Sequence, residues 1–381
     1  MKKILILLVL FPFALTHVNA QDFKPSNTQF MVRGYGHTGL NFYNVDGDKT
    51  STFVGAAFSP IFLFKYNNKF IFESELEFEL EGNKLNIGLE YADMMYVINN
   101  YITVRAGKFL LPFGTFMERL HPSWINRFSN KPLGFGHDGI APSSDIGLEV
   151  RGAFPVGVST LNYAVYVTNG PRLKTGDDEP DEAGMLLFVN YDDNNLNKAV
   201  GGRIGLLPFS NSSFEVGFSV YYAGNVGDTE SEFDGVDALL WAGDLSFVKQ
   251  ITPIRGIIDI KGQYNHSQIG DAVYNDPGDA ARATYTFNNQ SSAYYAQLGY
   301  RPSMSGNNIL KNIELVTRYS TLQTPDGSLW EGNESEMSFG INYWLSWRSV
   351  IKANYHVKTK AVAGTDNVDT QAFYLHWAIG L

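Results

Sequence analysis

The segment "FIFESELEFEL" at residues 70–80 decides how the rest of the chain is interpreted. Its even-numbered positions carry Phe, Leu and one Ser, and its odd-numbered positions carry Ile71 followed by four glutamates. Side chains of a β-strand point alternately to opposite faces, so this segment has one apolar face and one row of carboxylates. Alone, it fits a soluble sheet with a solvated outer face as well as a strand between lipid and water.

The first twenty residues, "MKKILILLVLFPFALTHVNA", have the layout of a secretory signal peptide. Two lysines precede an apolar stretch that is too short to be retained as a membrane helix, and small residues precede the expected cleavage point. We therefore expect residues 1–20 to be a signal peptide and residues 21–381 to form the mature domain. The chain has no Cys, so neither a lipidated cysteine nor a disulfide is expected.

Composition narrows the class of protein. Aromatic residues make up 14% of the chain, there are 37 glycines, and the net charge is −10. The negative net charge argues against a nucleic-acid partner, since binding of a phosphate backbone needs clustered Lys and Arg, and no such partner is predicted. Apolar residues at helical spacing are also missing, which favours an all-β fold.

The same alternation recurs along nearly the whole chain. The final segment, for example, sets Phe373, Leu375, Trp377 and Ile379 against Tyr374, His376, Ala378 and Gly380. About sixteen segments show this pattern, each about ten residues long, which is typical of a tilted strand that crosses a membrane.

The connections between these segments sort by length. Every second connection is short, as at 67–69, 154–157, 210–213 and 346–349, whereas the opposite set is mostly long and rich in Gly, Asp, Asn and Pro, as at 43–51, 110–142 and 169–198. Bacterial outer-membrane barrels have short periplasmic turns and long external loops. We therefore predict an all-β, up-and-down antiparallel transmembrane barrel of about 16 strands in the bacterial outer membrane. Its glutamate row would face a water-filled lumen, and aromatic residues near strand ends, including Trp344 and Trp347, would contact the membrane interface.

Residues 104–118 read "VRAGKFLLPFGTFME", and "DIG" at 145–147 and "YAVYVTNG" at 163–170 follow. This order of motifs resembles the phosphate-selective porin O and P family over about residues 100–175. The resemblance implies a homotrimeric, sixteen-stranded porin whose third long loop folds into the lumen. The sequence departs from that family by its glutamate row and by ending in Leu381.

Strand parity predicts which charged residues line the pore. Over the whole chain the inward acids and bases nearly balance. The residues assigned to the pore lining are four acids and eight bases: Glu73, Glu75, Glu77, Glu79, Arg105, Arg151, Arg203, Arg255, Lys261, Arg301, Arg318 and Lys352. These charges could form a field across the channel or only local ion pairs between neighbouring strands, and the sequence does not distinguish the two.

The segment 110–142 is predicted to form the constriction. It carries bulky residues that are unusual on a loop left in water, so we expect it to pack against the lumen wall, although a subunit contact would also cover its aromatics. The residues assigned to this constriction loop are Phe113, Phe116, Arg119, Trp124 and Arg127.

Other chemistry is sparse in the sequence. His37, His356 and His376 point inward by parity on strands that become neighbours, but no inward carboxylate accompanies them and no metal site is predicted. Acidic clusters at 177–182 and 192–193 lack the spacing of a calcium loop. No catalytic motif and no cofactor site is found, so an enzyme is not predicted.

These observations predict an outer-membrane porin for diffusion of small hydrophilic solutes or ions, including anions such as phosphate. The four glutamates at every second position repel one another unless facing bases compensate them. Because no predicted strand carries an uninterrupted inward row of Arg and Lys, we expect weak selectivity of either sign rather than a dedicated phosphate site. The alternative is a barrel plugged by its own long loops that acts as a surface binding or adhesion protein.

Overall fold

The computed structural model describes residues 27–81, 84–137, 139–188, 192–211, 213–276, 278, 283–361 and 366–381. The predicted signal peptide lies outside these residues. Within them, no helix is both long and apolar enough to cross a membrane.

Twenty strands are described in these ranges. Their bounds are β1 Thr28–Val45, β2 Asp48–Tyr66, β3 Phe70–Glu81, β4 Lys84–Asn99, β5 Ile102–Leu110, β6 Ser144–Val156, β7 Ser159–Thr168, β8 Arg172–Leu173, β9 Leu186–Leu187, β10 Ala199–Leu207, β11 Phe214–Ala223, β12 Ala238–Ile251, β13 Gly256–Ile269, β14 Tyr274–Asn275, β15 Thr284–Tyr285, β16 Gln290–Arg301, β17 Ile313–Gln323, β18 Glu334–Ser346, β19 Ser349–Lys360 and β20 Val368–Gly380. The helical elements are a π-helix at Phe116–Leu120 and 3-10 turns at Pro180–Glu182, Thr252–Ile254 and Leu310–Asn312.

Sixteen of the described strands form one closed antiparallel barrel, in which each strand pairs with the next along the chain. The barrel closes where β20 pairs with β1, in a register that runs from Tyr35↔Gly380 to Val45↔Thr370. The two-stranded pairs β8–β9 and β14–β15 lie in long connections and are not part of the wall. The predicted up-and-down barrel of about sixteen strands is confirmed.

The two faces of the wall follow the alternation in the sequence. On β20, the outward Trp377 is 52% exposed, whereas the adjacent inward His376 is 6% exposed. Closure pairs every strand on both sides, so the apolar outer belt carries no free sheet edge. The charged face of β3 points into the lumen.

Most connections alternate between short and long. The connection of β3 to β4 on the long side spans two residues, and the connection of β16 to β17 on the short side spans eleven. The connection expected at 43–51 is also short. A two-residue turn, Asp46–Gly47, joins β1 directly to β2 because Val45 pairs with Asp48. Asp46 has φ 49° and Gly47 has φ 102°, which matches the Asn/Asp-Gly turns that join hairpin strands. A stretch rich in Gly and Asp predicts a loop or a tight turn equally well, and here the strands extend through it.

Trp344 is a correction to the predicted interface aromatics. Trp347 is exposed on the turn between β18 and β19, but Trp344 is 6% exposed and faces the lumen. Its indole Nε1 donates a hydrogen bond to Glu314 at 3.0 Å. Trp344 shares the inward parity of Asn342, so alternation predicts its direction better than its position near the strand end.

Candidate constriction site in the barrel lumen

The segment 111–143 lies inside the barrel. It hydrogen-bonds to side chains of β11, β13, β17 and β19, which stand at different positions around the wall. A segment outside the barrel could not reach inward side chains of so many separate strands. The aromatic residues of this segment are therefore covered within one chain, which favours the lumen over a subunit contact as the reason for their presence.

A tight turn at Gly114 begins the inward path. Gly114 has φ 63°, and its N–H donates to Ser219 Oγ at 3.0 Å. The next two N–H groups, of Thr115 and Phe116, donate to Gln263 Oε1 at 2.8 and 3.0 Å. The positive φ of Gly114 favours glycine, and a Cβ there would also displace the Gln263 amide, 2.0 Å away, that binds this turn.

Two of the predicted constriction residues are anchors. Phe113 is buried in an apolar cluster with Phe109 and residues of the long connections. This cluster lies at the end of the barrel that carries the long connections, here called the loop-bearing end. Phe116 packs edge-to-face on Phe135 and Tyr295, with ring centroids 5.5 and 5.8 Å apart. Such pairs contribute about 0.5–1.5 kcal/mol beyond the area they bury, so they hold the π-helical part of the segment against the wall.

Charged side chains of the π-helix contact the next part of the wall. Arg119 Nη1 lies 2.9 Å from Glu215 of β11, and Glu118 pairs with Arg151 of β6. Burial raises the pKa of Glu118, but Arg151 and Arg119 outweigh it and hold this pKa below its usual range. The carboxylate is therefore ionised at neutral pH. Arg119 is itself partly exposed, so it is a charge that a solute in the lumen would meet.

Arg127 forms a second charged anchor. Its Nε lies 3.0 Å from Glu314, its Nη2 lies 3.3 Å from Asp259, and its guanidinium stands 4.9 Å above the ring of Trp344. The two carboxylates come from different strands, β17 and β13. One arginine thus ties the segment to two strands.

Buried bases of the barrel wall bind the backbone of the same segment. Lys352 Nζ donates to the carbonyl oxygens of Ser123, Asn126 and Phe128. Arg318 donates to the carbonyl oxygen of Asn130 at 3.2 Å. Both were predicted to line the pore, and the structure places both beneath the segment, where they contact its backbone.

Trp124, the remaining predicted constriction residue, lies near the turn between β18 and β19. Its ring contacts Trp347 edge-to-face at 6.4 Å, and it packs on Val350 and Ala378. It faces the wall rather than the open lumen.

The glutamate row is only partly open to the lumen. Glu75 is buried and accepts a hydrogen bond of 2.6 Å from Tyr35, whereas Glu73 and Glu77 are half-buried and Glu79 is exposed. Glu73, Glu77 and Glu79 therefore remain as accessible negative charge on this wall.

The predicted bases beside this wall have local acidic partners. Arg105 Nε donates to Glu149 at 2.7 Å, and Arg151 Nε lies 3.0 Å from the same carboxylate. Arg203 is buried against Asp244 and Glu215. Cross-strand ion pairs thus account for most of these charges.

The three remaining bases that were predicted to line the pore, Lys261, Arg301 and Arg255, lie in different parts of the barrel. Lys261 pairs with Asp259 on its own strand, and Arg301 donates to the carbonyl oxygen of Lys311 near the short-turn end. Arg255 is a correction, because it lies on the turn that connects β12 to β13, with φ 52° and an exposed side chain. The 3-10 turn Thr252–Ile254 contains Pro253, and β13 begins only at Gly256, one residue after Arg255.

Sequence reasoning missed the neutral partners of the segment. Tyr35, Ser219, Gln263 and Asn354 all face inward and bind it or its neighbours. Strand alternation predicts that these residues face the lumen. It does not predict whether a neutral polar side chain there is solvated by water or hydrogen-bonded to a segment inside the barrel.

A cavity of about 630 Å³ lies at the loop-bearing end, between the segment and the long connections. Its lining includes His137 and Ile140 of the segment together with Lys174, Trp330 and Lys360. A chamber lined by both apolar and charged side chains therefore lies beside the segment at this end of the barrel.

Solved structures share this fold at low sequence identity. The anion-selective porin from Comamonas acidovorans matches with a TM-score of 0.59 and 10% identity, over 93% of this chain and 100% of that one. The outer membrane channel DcaP of Acinetobacter baumannii matches with a TM-score of 0.60 and 12% identity, over 93% and 97%. OmpT of Vibrio cholerae, in a trimer form, matches with 0.51 and 11%, over 92% and 99%.

No protein-family model matches the chain, and no curated protein is significantly similar to it. The structural similarities establish the fold. The chain is a closed sixteen-stranded barrel of the kind found in these outer-membrane proteins.

Proposed function

We propose that this chain is a bacterial outer-membrane porin through which small hydrophilic solutes diffuse. The observation that carries the proposal is the path of segment 111–143, which lies inside the barrel and is anchored to its wall at many points. A narrowed, charge-lined lumen is what a diffusion channel needs in order to select solutes by size and charge. An enzyme is not proposed, because the anchored charges have structural partners.

We further propose that the channel is only weakly ion-selective. Most lumen bases are paired, as Arg105, Arg151 and Arg203 are, whereas Glu73, Glu77 and Glu79 remain accessible. No described strand carries an uninterrupted inward row of Lys and Arg. These features support a mild preference for cations over a dedicated phosphate site, despite the anion selectivity of one protein with the same fold.

Assembly as a homotrimer in the outer membrane is part of the proposal. The apolar outer belt supports contact with membrane lipid, and a protein of the same fold is known in a trimer form. The signal peptide predicted at residues 1–20 supports export.

Conductance of the purified protein in a planar bilayer tests the function. Stable current steps that scale with salt concentration are expected. Deletion of residues 118–135 should enlarge these steps in a barrel that still folds, as judged by its heat-modifiable mobility. Unchanged steps would refute the constriction.

A second candidate function rests on the apolar cluster at the loop-bearing end. Phe113 of the segment shares this cluster with Phe188, Phe233 and Tyr274 of three long connections. Such packing could close the lumen and leave the loops as a binding surface. Absence of current at every voltage, with a correctly folded barrel, would favour this surface-binding protein over the porin.

A further inference from the structure

Three potential metal ligands from separate elements meet where segment 111–143 approaches β3 and β4. Glu77 of β3, Glu90 of β4 and His137 of the segment each place one donor atom within 4.8 Å of the other two. His137 Nε2 lies 3.2 Å from Glu90 Oε2. Among the described residues, this is the group of His and carboxylate side chains that has metal-binding geometry.

A β-bulge brings Glu90 to this position. Glu75 pairs with Tyr91 and Leu76 pairs with Leu89, so Glu90 is an extra residue with no partner on β3. Bulges bend a strand and re-aim its side chains, and they are common beside functional sites. Here the bulge turns both Glu90 and Tyr91 toward the lumen.

The environment of Glu90 provides an independent observation. Glu90 is 6% exposed, and its Oε1 is buried without a hydrogen-bond partner. A buried carboxylate oxygen without a donor is costly, and most buried polar atoms in proteins are satisfied. A cation bound between Glu90, Glu77 and His137 would satisfy it.

We propose that Glu77, Glu90 and His137 form a binding site for a divalent transition-metal ion of the Zn²⁺ class. One imidazole with two carboxylates suits Zn²⁺ and its neighbours better than Ca²⁺ or Mg²⁺, which prefer oxygen ligands alone. Zinc–ligand distances of about 2.0–2.2 Å at tetrahedral angles place donor atoms about 3.3–3.6 Å apart. The three donor atoms lie within 4.8 Å of one another, so side-chain shifts of about 1 Å complete the site. Three protein ligands leave a fourth position for water.

The position of the site gives it a role beyond binding. Lys352, Arg127 and Arg318 fix the segment to the wall formed by β13 and β17–β19. A metal ion bound by His137, Glu77 and Glu90 would also fix the segment to β3 and β4. A metal-bound segment would be less mobile and would restrict the lumen, and this second consequence rests on the proposed channel function.

Zinc titration of the purified full-length barrel in detergent, after treatment with a chelator, tests the site. Isothermal titration calorimetry with ZnCl₂ should show one saturable site per chain. His137→Ala and Glu90→Gln should each weaken the affinity at least tenfold. His266→Ala is the matched control, since the ring of His266 packs at a tilt against Trp241 of the outer face, and this variant should bind zinc as the wild type does.

Each outcome is decisive for the site. Absence of saturable binding in the wild type, or unchanged affinity in both His137→Ala and Glu77→Gln, would overturn it, and heat-modifiable mobility verifies that the variants are folded. If zinc binds and wild-type current steps shrink while those of His137→Ala do not, both the site and its effect on the channel are supported. Binding to a barrel that conducts no current would support the site and refute the porin instead.

Discussion

Replacement of Lys352 by Met should release the middle of segment 111–143. Lys352 is 2% exposed, and its ammonium donates to three backbone carbonyls, those of Ser123, Asn126 and Phe128. Met has a similar length and no charge, so the substitution removes the three hydrogen bonds with little change in volume. The carbonyl oxygens would then lack a donor in a buried place.

The size of the effect follows from the hydrogen bonds. Each hydrogen bond to a charged group contributes about 1.5–3 kcal/mol, and the substitution removes three of them. It also removes the cost of burying the ammonium, which is several kcal/mol and offsets part of this loss. We expect a net loss of about 3 kcal/mol in the local stability of the segment. Since 1.4 kcal/mol is a factor of ten, its open fraction should rise roughly a hundredfold.

Hydrogen exchange measured by mass spectrometry reports this local opening. Amides of residues 122–130 should lose about a hundredfold in protection in Lys352→Met, while amides of the barrel strands stay protected. Lys358→Met is the control, because Lys358 lies on the inward face of the same strand but pairs with Glu334 at 3.3 Å. That partly exposed pair contributes at most about 1 kcal/mol. Protection in Lys352→Met that stays within threefold of the control would refute the anchoring role.

Three further outcomes are expected. Arg127→Gln removes the arginine between Glu314 and Asp259, which keep Trp344 and Lys261 as partners. The urea midpoint in detergent should therefore fall by the equivalent of about 2 kcal/mol, and an unchanged midpoint would show that these partners and water compensate. The double variant Glu73→Gln, Glu79→Gln should reduce the cation preference, measured as a reversal potential, roughly twofold. The loop variant Asp177→Asn should leave the reversal potential unchanged. If both variants shift the reversal potential equally, residues other than the β3 glutamates determine the selectivity. Burial lowers the pKa of His121 from 6.5 to about 4, so His121 stabilises the fold above pH 6.5 and this contribution is lost as the pH falls through 4. The thermal midpoint should accordingly drop less between pH 7 and 4 in His121→Gln, and equal drops would assign the acid sensitivity to other groups.

The barrel could be predicted because its cause is local in sequence. A two-residue period specifies which side chains face outward on every strand, and closure then follows from the need to pair all strands in a membrane. The position of segment 111–143 was also predictable, since residues such as Phe116 and Trp124 are too apolar for a loop in water.

The details of the site could not be predicted from the sequence, because they depend on contacts between residues that are far apart along the chain. Lys352 was assigned to the pore surface from its parity, but parity does not tell whether water or a segment backbone covers a base. Trp344 lies near a strand end and was therefore predicted, wrongly, to contact the membrane interface. Arg255 was assigned to a strand, whereas it lies on the turn that precedes that strand. His137 carries no pattern of its own, and it meets Glu90 only because a bulge re-aims that carboxylate.

The pairing of β1 with β20 has a consequence for how the protein is made. Tyr35 and Gly380 are neighbours in this seam although almost the whole chain separates them. Bringing such distant residues together costs about 5 kcal/mol of loop-closure entropy, and nothing offsets that cost until the seam itself forms. Closure of the ring must therefore follow synthesis of the last strand, and a slow, late folding step is expected. Until then the chain has two unpaired strand edges, each a template for association with another chain, so the unclosed barrel is the state most exposed to aggregation.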